Sequence, residues 1–191
     1  MKKLSVFFLF LFCCTSPTQP VAVPDQTVAE SDNHMPRSVV VDFRKVRENR
    51  IGQWILPPDV VLCSDAPIRR QRLEDAIKWW ENIGYRFGNL QSDVTGGACI
   101  ADNPMGKIVV TLITQDLWDT DHFGKTVTTY HTETGNIYHS KVYLFYSNTP
   151  SRVVRHELGH ALGIGHYNRT GHMMHRAWSR GGLRTDGIEK N

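Results

Sequence analysis

Between Val153 and His175 the chain reads VVRHELGHALGIGHYNRTGHMMH, which places five histidines and two methionines in twenty-three residues. A neutral imidazole offers a lone pair to a metal and a site for a proton, so this density points to metal ligation or proton transfer. His156 and His160 are four residues apart, which stacks them one turn above the other on one face of a helix. Two imidazoles so arranged can share a zinc ion, and Glu157 between them sits near any water at that ion. Zinc needs a third protein ligand. Gly163 leaves helical geometry readily, which lets His166 swing back to supply that ligand while the fourth position stays open. A purely structural zinc site has no task for Glu157, whereas a hydrolytic one needs a general base there. The plainer reading is a helix whose histidines are merely solvated.

The run His156-Glu157-Leu158-Gly159-His160-Ala161-Leu162-Gly163-Ile164-Gly165-His166 resembles the zinc-binding signature of the metzincin metallopeptidases, H-E-x-x-H-x-x-G-x-x-H. Members of that family carry a methionine turn beneath the metal, and GHMMH supplies one; Met174 stands where matrixin-like members place theirs and is preferred to Met173. The resemblance implies a zinc metalloendopeptidase in which His156, His160 and His166 hold one catalytic Zn2+ and Glu157 is the base that activates water. It also implies a peptide or protein substrate lying antiparallel to the sheet's edge strand, here expected at 126–131. Arg176 stands where astacin-like members carry a zinc-binding tyrosine, so no fifth ligand of that kind is expected. Matrixin-like proteins hold a second metal near the equivalent strand. Asp119, Asp121, His122, His131 and His139 are therefore candidates for a structural Zn2+ or Ca2+, against the reading that they are simply solvated.

Two other functional classes compete. One is a non-catalytic zinc-containing module that binds a peptide or protein without cutting it. The other is an exported inhibitor whose histidine-rich helix has no metal role. Zinc content and turnover separate all three.

These residues need elements to position them. Thr149 and Pro150 read as a cap and a first-turn proline for a helix running to about Ile164, with Val154, Leu158, Ala161 and Leu162 as its core stripe. An earlier helix is expected from a cap at Asp65 and a start at Pro67, with Leu73, Ala76, Ile77, Trp80 and Ile83 on one face and Gly84 as its stop. Trp79 and Trp80 read as core. Strands are expected at 59–63, 107–113, 126–131 and 137–146, with ETGN as a hairpin turn between the last two. The segment SVVVDFRKV is a further strand candidate. The order strand, helix, strands, helix gives an α+β, zincin-like plan. Its parts are one twisted mixed sheet with an edge strand along the cleft, a packing helix and an active-site helix.

Composition sets the outer limits. With 191 residues, 40% hydrophobic, the chain suits one globular domain, expected at 57–191, and monomeric. A net charge of +3, which drops to +1 without Lys2 and Lys3, is too weak a field to suggest nucleic acid as partner. Those lysines precede LSVFFLFLF and CCTSP, the zones of an export signal over residues 1–14, and the apolar run is too short for a transmembrane helix. Two outcomes stand: lipidation of Cys14 as a membrane anchor, or simple secretion or periplasmic release. Residues 15–56, rich in Pro, Thr and Ser early on, read as a linker or short leader. In an oxidising compartment Cys63 and Cys99 are expected to form a disulfide, closing a loop that stabilises by roughly 3 to 4 kcal/mol.

Overall fold

A computed structural model describes residues 50–93, 96–113, 123–145 and 148–190, and the backbone of 38–42. In chain order its elements are β1 (Ser38–Asp42), β2 (Gln53–Trp54), β3 (Asp59–Cys63), α1 (Arg70–Glu81), β4 (Leu90–Asp93) and α2 (Gly97–Ile100). Then come β5 (Lys107–Leu112), β6 (Gly124–His131), β7 (Asn136–Leu144), α3 (Ser151–Ala161) and a 3-10 turn at Trp178–Arg180. The strands form one sheet in the order β1-β6-β7-β5-β3-β4, with β2 added to β7. β3, β4, β5 and β7 run parallel, as does β2 beside β7, whereas β6 is antiparallel to both β7 and β1. The architecture is α+β, with a mixed, mostly parallel sheet.

Burial on both faces explains why β3 and β5 read as unbroken apolar runs. On one face Val60, Leu62, Ile108, Val110, Val142 and Leu144 meet Leu73, Ala76 and Trp80 of α1 and Val154, Leu158 and Ala161 of α3. On the other, Val61, Cys63 and Val109 pack against Ala98 and Cys99. Cys63 and Cys99 form a disulfide with Cα atoms 5.9 Å apart, inside the usual range, which ties α2 to the end of β3.

Several boundaries differ from expectation. α1 begins at Arg70, because the carboxylate of Asp65 accepts from the Thr111 hydroxyl at 2.9 and 3.0 Å and caps no helix. Pro150 is itself the N-cap of α3 and carries no side-chain cap bond, while the carbonyl of Thr149 accepts from the Arg72 guanidinium at 2.7 Å. α3 ends at Ala161. Gly163 takes a left-handed conformation (φ +87°) and Ile164 N–H closes back to the Gly159 carbonyl, so the helix cannot continue to Ile164. The strand expected at the sheet edge, 126–131, is not an edge. β1 lies beyond it. No helix among the described residues is long and apolar enough to cross a membrane.

Candidate metal centre

α3 turns a hydrophobic face to the sheet, where Leu158 and Ala161 are fully buried, and sends His156 and His160 out on another. At its end the left-handed Gly163 redirects the chain. A Cβ there would lie 2.3 Å from the Gly52 carbonyl oxygen, so glycine is required on two counts. The redirected chain brings His166 back, and one side-chain nitrogen from each of His156, His160 and His166 lies within 4.8 Å of the others. The His160 Nε2 is 3.0 Å from that of His156 and 3.2 Å from that of His166. Ligands on a tetrahedral zinc stand roughly 3.3 Å from one another, given Zn–N bonds of about 2.0–2.1 Å.

The other face of each ring decides the chemistry. His156 Nδ1 donates to the Met173 carbonyl at 2.9 Å, and His160 Nδ1 donates to the Ile164 carbonyl at 2.7 Å. These bonds fix the tautomer, so each Nε2 keeps a lone pair aimed at its neighbour. Two lone pairs repel. A shared cation turns that repulsion into ligation, and the donor set fits one metal ion. Burial holds the rings neutral: it pushes His156 down to about 4, and it drives His160 well below the ordinary histidine range, with His156 and His166 adding to the effect.

Glu157 is buried on the sheet side of this cluster. Its Oε2 accepts a 2.6 Å hydrogen bond from the Thr126 hydroxyl, which also reaches the Glu157 carbonyl at 3.1 Å. Gly124 makes room for the carboxylate: a Cβ there would lie 2.7 Å from Glu157 Cγ. Met174 is fully buried beneath α3, and a Cβ on Gly159 would fall 2.5 Å from its Sδ. The neighbouring Met173 holds His156 through its carbonyl.

Arg152 secures the segment after Met174. Its guanidinium donates to the carbonyls of Gly181 and Trp178 and stacks 3.6 Å over the Trp178 ring. Trp178 is 38% exposed and faces Phe123, just before β6, with ring centroids 5.7 Å apart. Sequence reasoning missed Thr126, Gly124 and Arg152, and none carries a local signal. Their partners lie 26 to 33 residues away along the chain.

Asp119, Asp121 and His122 lie outside the described residues. His139 stands opposite Thr129, and His131 is two residues further along β6, so alternation puts both imidazoles on the sheet face away from α1 and α3. Each has a buried Nδ1 without a hydrogen-bond partner, and the His131 ring lies tilted against Tyr138 with centroids 4.9 Å apart. Among the described residues no third donor joins them; His156, His160 and His166 are the one group able to hold a metal. No protein-family model matches this sequence, and no solved structure matches it.

Proposed function

We propose that the chain is an exported zinc-dependent endopeptidase of metzincin type. One observation carries the reading: three imidazoles converge on a point with two of their Nδ1 atoms pinned to carbonyls, and the residue after His156 is a glutamate whose carboxylate is buried against Thr126. The element order and the antiparallel strand next to α3 agree with a metzincin plan. His156, His160 and His166 would hold the ion. A bound Zn2+ supplies Lewis acidity, polarising a peptide carbonyl and lowering the pKa of water to about 7.

The chain's own groups do the rest. Glu157 accepts the proton of the attacking water and delivers it to the leaving amine. Thr126 fixes which carboxylate oxygen faces that proton by engaging the other. Arg152 holds Trp178 near Phe123, which sets two aromatic rings together just before β6. The second ion, Zn2+ or Ca2+ on Asp119, Asp121, His122, His131 and His139, belongs to the same proposal, supported by the common face and bare Nδ1 atoms of the two histidines.

Metal analysis joined to a casein-degradation assay, with and without chelator, tests the reading. Expected are at least one zinc per chain, and proteolysis that the chelator abolishes and added zinc restores. Stoichiometric zinc with no turnover on any unfolded protein would favour the binding module instead.

A further inference from the structure

A sheet edge presents a row of N–H and C=O groups that will pair with any extended chain of suitable length. β6 runs beneath the candidate centre, since Thr126 bonds Glu157 and the Thr128 hydroxyl lies 3.4 Å from the His160 carbonyl, and β7 takes one of its two edges. Residues 38–42 already pair along the other. They run antiparallel, from Ser38 opposite His131 to Asp42 opposite Val127, so β1 advances toward Thr126 and ends one residue short of it. Two strands cannot use one row of hydrogen-bonding groups.

Among the described strands β1 is the terminal one and has a neighbour on one side only. It is also tethered closely. Seven residues after Asp42 separate it from Arg50, which bridges to Ile164 just past α3. A segment on so short a tether competes at an effective concentration on the order of millimolar. A protein substrate arriving at micromolar concentration would seldom displace it.

We infer that residues 38–42 are an intramolecular stand-in for substrate: β1 occupies the edge of β6 that an extended peptide would take, and proteolysis requires its displacement or removal. This rests on the peptidase reading above. It differs from a device that caps the metal, because what it blocks is the backbone ladder.

Val40 and Thr129 are directly opposed Cα partners, so a full-length Val40→Cys/Thr129→Cys protein can lock β1 in place. A second full-length protein, Val40→Pro/Val41→Pro, releases it. Successive N–H groups alternate sides along a strand, so one of the two prolines must delete a donor directed at β6. Zinc content, cross-link yield by mass spectrometry and cleavage of labelled casein are measured on the locked form, the same protein after mild reduction, and the proline variant. All should hold zinc equally. The locked form should cleave roughly 10²-fold or more slowly than its reduced counterpart, and the proline variant faster than the wild type. Equal rates for locked and reduced protein would overturn the inference and leave the peptidase reading standing. Failure of the two cysteines to cross-link would contradict the pairing itself. Zinc-loaded forms that all fail to cleave would remove the peptidase reading, and this inference with it.

Discussion

Glu157 lies outside the trio of imidazole nitrogens, and its carboxylate meets a hydroxyl at 2.6 Å. Ligation and proton transfer are therefore separable by mutation. Glu157→Gln is nearly isosteric and still accepts from Thr126 through its carbonyl oxygen, so the variant should fold and keep its zinc. Its turnover should fall by about 10²–10⁴-fold, the usual effect of losing a general base. His160→Ala leaves two protein ligands, and both zinc and activity should disappear. Zinc stoichiometry and casein turnover on the two purified variants check this; a Glu157→Gln protein as fast as wild type would sink the assignment of Glu157 as base. The spacing of His156, His160 and His166 made the cluster legible from sequence, because a helical turn and a glycine exit are local rules. Thr126 was not legible. One threonine in a threonine-rich strand looks like any other until the fold lays α3 across it.

α3 illustrates how an element can satisfy a chemical motif and a packing constraint at one residue. Glycine inside a helix is less favourable than alanine by about 1 kcal/mol, so Gly159 looks like a defect by propensity alone. The packing explains it: a methyl group there would meet Met174 Sδ at 2.5 Å and the rigid indole of Trp80 at 2.7 Å. Met174 can shift its flexible end. Trp80 cannot easily do so, being fully buried and bonded from its indole N–H to the Arg155 carbonyl at 2.8 Å. Gly159→Ala should therefore lose the ~1–3 kcal/mol typical of overpacking, more than the propensity gain, and destabilise the fold by about 1 kcal/mol net. It should also weaken zinc binding, because displacing Met174 disturbs the adjacent Met173 carbonyl that orients His156. Urea denaturation and zinc competition check both halves; an alanine variant more stable than wild type would contradict the packing. The elements most readable from sequence were β3 and β5, whose burial on both faces requires apolar runs. β4, with the sequence LQSD, and the two-residue β2 carry no such pattern. The last strand pairing on β6 was hidden for another reason. A local run such as SVVVD specifies an extended segment, but not which edge it will join.

At the scale of the whole molecule, one phenol joins three distant parts of the chain. Tyr85 follows α1, accepts from the Arg50 guanidinium at 2.7 Å and donates to the Ile188 carbonyl at 2.7 Å. It also packs edge-on against Trp80, with ring centroids 5.1 Å apart. Burial pushes its pKa up to about 12, with the Arg50 charge working in the opposite direction. In the unfolded chain a tyrosine ionises near 10. Below that pH both states hold the proton and Tyr85 contributes its full stabilisation. Between pH 10 and 12 the unfolded state loses its proton first, so stability falls as pH rises, by about 1 to 1.5 kcal/mol at pH 11. Tyr85→Phe removes this term but also leaves the Ile188 carbonyl without its donor, which should lower stability at pH 8 by ~1 kcal/mol. The variant should therefore be less stable than wild type at pH 8, and the gap should close as pH approaches 11. The half-buried Tyr143 phenol, its pKa also raised by burial, retains some alkaline sensitivity in both proteins. Urea titrations of the two proteins at pH 8 and pH 11 measure the gap. A gap of equal size at both values would mean that Tyr85 gives up its proton as readily in the folded chain as in the unfolded one, and would overturn the raised pKa assigned to its burial between Arg50 and Ile188.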